Sequence, residues 1–201
     1  MEQCTIQIQT IWRGYISRKK LVSLKDSMDI NLLEECIDNY NNTINFENKL
    51  NQNLKKKKIR KSNFPSHVSE NIVKFWFSKK YNIIPTWDTK KGDLIINNIQ
   101  IEVKASINLS NSLSTFGPTE KWNRIYFVDG ENTCIKKYKI YEIKLSNVHP
   151  IWKNLKVNSK ESYHDQCVQK RRPRMTWNTI YKQLGQKYCK LVFDGYLSEL
   201  K

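Results

Sequence analysis

Asp93, Glu102 and Lys104 fall within one short stretch, Gly92-Asp93-Leu94-Ile95-Ile96-Asn97-Asn98-Ile99-Gln100-Ile101-Glu102-Val103-Lys104. Apolar runs flank an Asn-Asn pair, and asparagine tolerates the positive φ that a two-residue hairpin turn requires. With Asn97 and Asn98 as the turn, Ile96 faces Ile99 and the pairing runs back to Asp93 opposite Glu102. Directly opposed side chains on one sheet face lie about 4.5–5.5 Å apart at Cβ. Two carboxylates held that close repel each other, so the arrangement calls for a cation between them. Lys104 follows Glu102 by two residues and therefore points to the same face. Two acids and a lysine on one small surface suit Mg²⁺ and a phosphodiester. The Glu102-x-Lys104 spacing alone is also that of a salt bridge along an exposed strand; the opposed Asp93 is what sets this stretch apart.

The elements that must position these residues are legible on both sides. Upstream, Met28, Leu32, Leu33, Cys36, Ile37 and Tyr40 recur at three- and four-residue intervals, the pattern of a structural helix of the main domain. Ser69 is the expected N-cap of a second helix whose buried stripe is Ile72, Val73, Trp76 and Phe77, with Glu70 in its first turn. Glu70 there either compensates the helix dipole or adds an acid to the hairpin site. Downstream, Ala105-Ser106-Ile107-Asn108 opens a small, polar loop of the kind that lies near a ligand. Phe116-Gly117-Pro118-Thr119-Glu120 reads as a turn leading to a short helix with Trp122. Arg124–Asp129 is a buried strand, and residues 138–145 alternate as a half-exposed one. Residues 189–195 close a sheet of at least four strands that begins with the hairpin.

Charge says what such a site would act on. The net charge is +16. Residues 1–52 hold 6 basic and 7 acidic residues, so residues 53–201 carry 29 against 12, a net of +17. A domain this basic is drawn to phosphate backbones, with binding that weakens steeply as salt rises. A surplus of lysine, asparagine and isoleucine is also what an AT-rich genome produces. The basic residues nevertheless cluster. Lys170, Arg171, Arg172 and Arg174 surround Pro173, and a helix from about Thr176 to Leu184 follows. Arginine forks suit phosphate oxygens and the O6/N7 edge of guanine. These four cations, with Ser106 and Asn108, are the candidate contacts to double-stranded DNA. A second run, Lys55-Lys56-Lys57-Lys58-Ile59-Arg60-Lys61, is either a solvated connector, a phosphate contact or a nuclear import signal.

Other classes are excluded. The five cysteines are scattered, odd in number and without CxxC spacing, which speaks against a zinc site and for reduced intracellular thiols. No apolar run approaches the ~18 residues of a membrane span, and no signal peptide is apparent, so an intracellular chain, cytoplasmic or nuclear, is expected.

Ahead of all this stands Ile8-Gln9-Thr10-Ile11-Trp12-Arg13-Gly14-Tyr15-Ile16-Ser17-Arg18-Lys19-Lys20-Leu21. It is similar to the IQ motif at Ile8, Gln9, Arg13, Gly14, Arg18 and Leu21. Apolar residues fall at helical spacing with basic ones opposite, which suits the groove of a calmodulin-type lobe. The resemblance implies calmodulin or a related EF-hand protein as partner; a helix packed on its own domain is the plainer alternative.

The hairpin itself resembles the PD-(D/E)xK nuclease superfamily, with Asp93 as the first acid and Gly92 where the namesake proline would stand. Phe64-Pro65, Ser69-Glu70-Asn71-Ile72, Lys91-Gly92-Asp93, Ile125-Tyr126-Phe127 and Gln169-Lys170-Arg171-Arg172-Pro173-Arg174 together resemble small type II restriction endonucleases. The likeness covers roughly residues 62–198. It implies an α/β (α+β) fold, a restriction-endonuclease-like mixed central sheet flanked by helices, with an N-terminal helical extension. The expected organisation is an IQ helix over 1–27, a helical segment and basic connector over 28–61, and a catalytic core over 62–201. The implied chemistry is Mg²⁺-dependent, site-specific hydrolysis of double-stranded DNA by a homodimer. Asp93, Glu102 and the Val103 carbonyl would hold the metal, Lys104 would handle the attacking water, and Glu70 would be a further acid. A structure-specific repair or junction nuclease, and a non-catalytic DNA- or calmodulin-binding adaptor, are the alternatives. An IQ helix joined to such a core in an Asn- and Lys-rich chain also resembles proteins of large DNA viruses of eukaryotes.

Overall fold

Helix α1 (Ile30–Asn53) begins where Asp29, in extended conformation, accepts the Leu32 N–H on its carboxylate at 2.8 Å. It presents Leu33, Ile37 and Tyr40 to the interior. The computed structural model describes residues 28–54, 58–59, 61–87, 93–110, 113 and 115–201. The IQ segment, Gly92 and most of the basic run from Lys55 lie outside the described residues.

Helix α2 (Ser66–Tyr81) starts four residues earlier than its serine pattern predicts. Pro65 is the N-cap, and its carbonyl accepts the N–H groups of Val68 and Ser69 at 3.1 and 3.2 Å. Ser69 is thereby drawn inside the helix, where its hydroxyl donates to the Ser66 carbonyl at 2.9 Å. The proline settles the boundary because its φ of −66° is already helical and it has no N–H to leave unsatisfied. The helix closes on Asn82 in the left-handed conformation.

Six strands form one mixed sheet in sequential order: β1 (Thr86–Trp87), β2 (Leu94–Ile96), β3 (Ile99–Ser106), β4 (Arg124–Asp129), β5 (Lys137–Ile143) and β6 (Cys189–Tyr196). All neighbours are antiparallel except β3 and β4. The β2–β3 turn is the expected one. Asn97 and Asn98 both have positive φ, 47° and 65°, the pattern of a type I′ turn, and Ile96 pairs with Ile99.

The parallel β3–β4 step requires a crossover, here residues 107–123, and none of its described residues is helical. The short helix expected near Trp122 does not form. Pro118 lacks a donor, and the segment spends its backbone groups elsewhere: Leu113 N–H donates to the Met175 carbonyl at 2.9 Å and Phe116 N–H to the Pro173 carbonyl at 3.1 Å. The crossover is thus tied to the segment that leads into α5 (Trp177–Tyr188), a helix capped by the Thr176 hydroxyl. Two short helices, α3 (Pro150–Lys153) and α4 (Tyr163–Val168), precede it.

The two faces of the sheet are covered by different elements. On one face, α1 and α2 pack Leu33, Ile37, Ile72, Val73 and Trp76 against Ile101, Val103, Tyr126 and Val128. On the other, Phe116 and Trp122 of the crossover join Trp152, Trp177 and Ile180 over Ile125, Phe127 and Ile143. Trp177 stacks on Phe127 with ring centroids 4.1 Å apart. Alternation along β3 follows directly: Ile101 and Val103 face the α1/α2 layer, while Glu102 and Lys104 face the crossover. Among the described residues no helix is long and apolar enough to cross a membrane.

Candidate active site

Glu102 and Lys104 sit on the central strand β3, 3% and 7% exposed, with Lys104 Nζ 2.5 Å from Glu102 Oε1. Charges this deeply buried are expensive unless paired, and pairing them along one strand face satisfies that requirement. Lys104 Nζ also donates to the Thr115 carbonyl at 3.4 Å and stands 5.0 Å above the Phe116 ring. The crossover therefore forms the wall on which the lysine rests.

Asp93 approaches from β2. The regular ladder ends at Leu94 opposite Ile101, one pair short of the expected Asp93–Glu102 partnership. Asp93 instead brackets Glu102. Its N–H donates to the Ile101 carbonyl at 3.0 Å, and its Oδ2 accepts the Val103 N–H at 2.7 Å. The acid is fixed beside Glu102 by the two residues on either side of it.

The electrostatics record the crowding. Burial pushes the Glu102 carboxyl up to about 7; Lys104 opposes the rise, while the negative charges of Asp93 and Glu120 add to it. Glu120 is the site acid that sequence reading missed. It lies on the crossover, its Oε2 accepting the Gly117 N–H at 2.7 Å. A Cβ on Gly117 would stand 2.2 Å from the Glu120 side chain, so glycine is what lets the carboxylate fold back. The Gly-x-x-Glu spacing carries no signal by itself, because the approach to β3 depends on a crossover path set by distant residues.

The basic loop reaches the same place. Lys170, with φ 57°, turns the chain after α4, and Arg171 donates to Glu161 at 2.7 Å. Arg172 Nε donates to the Thr115 hydroxyl at 3.0 Å, and its Nη2 lies 3.6 Å from Glu120 Oε1. Pro173 is buried and supplies the carbonyl that holds Phe116. Arg174 is exposed and in no ion pair among the described residues. Of the four candidate cations, Arg172 thus bonds Thr115, the residue that supports Lys104.

Ser106 and Asn108 close the far end of β3, where Ser106 Oγ donates to the Asn108 carbonyl at 2.6 Å. Both line a cleft of about 220 Å³ with Lys61, Ser66 and Ser69. Glu70, 3% exposed, belongs to α2, whose core stripe packs on the Ile101/Val103 face of β3. The calmodulin-binding candidates Ile8, Gln9, Arg13, Gly14, Arg18 and Leu21 lie outside the described residues.

The donor set fits a hard divalent cation. Asp93 and Glu102 offer carboxylate oxygens; burial is the main cause of the raised Glu102, and the repulsion from Asp93 that adds to it is what a cation between them would relieve. Among the described residues no three His, Cys, Asp or Glu side chains form a closed metal cage. An open set of two carboxylates is what Mg²⁺ takes, since it keeps waters and shares substrate phosphates.

A central mixed sheet carries a buried acid and a lysine on one strand, with a second acid at the end of its neighbour and an arginine-rich loop beside them. Comparison with known families is specific. The Bsp6I restriction endonuclease family matches residues 29–184, most of the chain, and the chain belongs to that family. Membership supports a restriction-endonuclease-like DNA nuclease and implies DNA binding. The IQ calmodulin-binding motif matches residues 2–22 and implies calmodulin binding. No curated protein matches, and no solved structure matches.

Proposed function

We propose that the chain is a Mg²⁺-dependent, site-specific endonuclease of double-stranded DNA, with its catalytic centre at Asp93, Glu102 and Lys104. The observation that carries this reading is the bracketing of Glu102 by Asp93, with Lys104 on the same face at 2.5 Å. This arrangement resembles the acid–acid–lysine set of the PD-(D/E)xK superfamily, which supports the reading.

Asp93, Glu102 and the Val103 carbonyl would hold Mg²⁺, which when bound polarises the phosphate and makes a coordinated water more acidic. The Val103 carbonyl leaves the strand on the same edge as its N–H, the edge that faces Asp93. Lys104 orients the attacking water or takes its proton, and its charge stabilises the negative charge that develops on the phosphate oxygens. The Thr115 carbonyl and the Phe116 ring keep its ammonium aimed along the strand. Arg172 and Arg174 grip the DNA backbone or base edges, and Ser106 and Asn108 meet the strand at the far end of β3. Cutting both strands of a symmetric site calls for a homodimer. The IQ segment adds calmodulin as a regulator.

Digestion of mixed genomic DNA with Mg²⁺, followed by sequencing of the fragment ends, tests the proposal. A single recurrent end sequence is expected. Persistent absence of cleavage with Mg²⁺ and Mn²⁺ would leave a DNA-binding adaptor in its place, and cleavage confined to branched substrates would make it a junction nuclease.

A further inference from the structure

Arg172 has two partners, both on the crossover. Its Nε is on the Thr115 hydroxyl at 3.0 Å and its Nη2 is 3.6 Å from Glu120 Oε1. The first is on the residue whose carbonyl supports Lys104; the second is on an acid close enough to act on Glu102. The Glu120 end is well anchored, through Gly117 N–H on Oε2 and Asn147 Nδ2 on its carbonyl at 2.5 Å. The Arg172 end is loose: its side chain is 60% exposed, the contact to Glu120 is long and single, and such a pair is worth at most about five-fold in an equilibrium. An anchored acid holding an exposed, weakly engaged arginine is a contact that another anion can displace.

Resting on the nuclease reading, we propose that Glu120 is a positioning residue that holds Arg172 beside the catalytic strand in the free enzyme and surrenders it to a DNA phosphate. The exchange has a consequence at the metal site. With Arg172 on Glu120, part of the acid's charge is offset. Once a phosphate takes the guanidinium, Glu120 adds its full negative charge beside Asp93 and Glu102, and a divalent cation there is favoured. By reciprocity, a cation held there favours release of Arg172 to DNA, so DNA and metal bind cooperatively through one salt bridge. Sequence engagement and assembly of the catalytic centre become one equilibrium.

The test is anisotropy of a fluorescent mixed-sequence duplex with the full chain, first in EDTA and then with Ca²⁺ as a cation that does not support cutting. Removing the competing acid by Glu120→Gln tightens binding in EDTA by about three- to five-fold. The further gain on adding Ca²⁺ shrinks. Arg172→Ala weakens binding and lowers the slope of log affinity against log salt by about one. The double variant behaves as Arg172→Ala alone. Unchanged or weaker binding by a Glu120→Gln protein of native melting temperature overturns the proposal, as does a Glu120→Gln effect that survives without Arg172. If Glu120→Gln lowers the melting temperature, Thr115→Val removes the other partner of Arg172 and must tighten binding in its stead; no tightening overturns the proposal. None of these readouts needs cleavage, so an inert wild-type enzyme ends the nuclease reading while the binding data still decide the exchange.

Discussion

Lys104 and Arg172 converge on a single residue: Nζ of the lysine donates to the Thr115 carbonyl at 3.4 Å, and Nε of the arginine to the Thr115 hydroxyl at 3.0 Å. The two cations come from segments nearly seventy residues apart in the chain, one from a buried central strand and one from a solvent-facing loop. Thr115 joins them because the crossover is hydrogen-bonded to the loop at Leu113 and Phe116.

The first prediction concerns chemistry without loss of grip. Asp93→Ala and Lys104→Ala are expected to lower cleavage by at least about a hundred-fold, the scale on which preorganised charge acts on a transition state. Both variants should retain DNA binding in gel-shift titrations, because Arg172 and Arg174 are untouched. Cutting at the normal rate by both would refute the assignment of the centre.

The second concerns pH. Glu102 titrates at about 7 in the folded chain, mainly through burial, against a usual value of 4.5. A folded-state value above the unfolded one means that the folded chain holds this proton more tightly, so stability is greatest below the unfolded value. It then falls as pH rises through the folded one. Metal-free enzyme should lose on the order of 3 kcal/mol from this group between about pH 5 and pH 8. Urea unfolding across that range measures it. Glu102→Gln, which cannot ionise, should flatten the slope, and Mg²⁺ should restore stability at the alkaline end in the wild type alone.

The third concerns the turn that sets the hairpin. Asn98 has φ 65°, which a β-branched residue adopts only at a cost. Asn98→Val should destabilise the chain by about 1–2 kcal/mol. Since the turn fixes where Asp93 meets Val103, cleavage should fall with it. Asn98→Gly should keep both stability and cleavage. Thermal melts and single-turnover cleavage separate the two outcomes.

The fourth concerns the N-terminal motif. A peptide of residues 6–25 is expected to bind calmodulin by calorimetry, with or without Ca²⁺, and calmodulin is expected to change the cleavage rate of the full chain. No heat in either condition would remove calmodulin from the account.

Much of this was legible in the chain because local rules dominate there. The turn at Asn97-Asn98, the shared face of Glu102 and Lys104, and the start of α5 near Thr176 all follow from spacing and side-chain chemistry. The failures have more than one origin. Ser69 lost the N-cap to Pro65 four residues earlier, where ring geometry outweighed a hydroxyl. The region of Trp122 did not become a helix because its backbone partners, Pro173 and Met175, are remote in sequence. Glu120 was invisible as a site residue for the same reason. Asp93 stopped short of strict register because its carboxylate found the Val103 N–H, a bond that no propensity anticipates.

The crossover has an evolutionary reach. In an enzyme whose specificity loop is an independent insertion, target preference can drift while the catalytic strand stays as it was. Here Thr115 supports Lys104 while its neighbours Leu113 and Phe116 bond the carbonyls of Met175 and Pro173. A change that re-aims the arginines also shifts the floor under the lysine. New specificities should therefore arise through paired substitutions in both segments, and transplanting the loop alone into a relative should yield a protein that binds DNA and does not cut it.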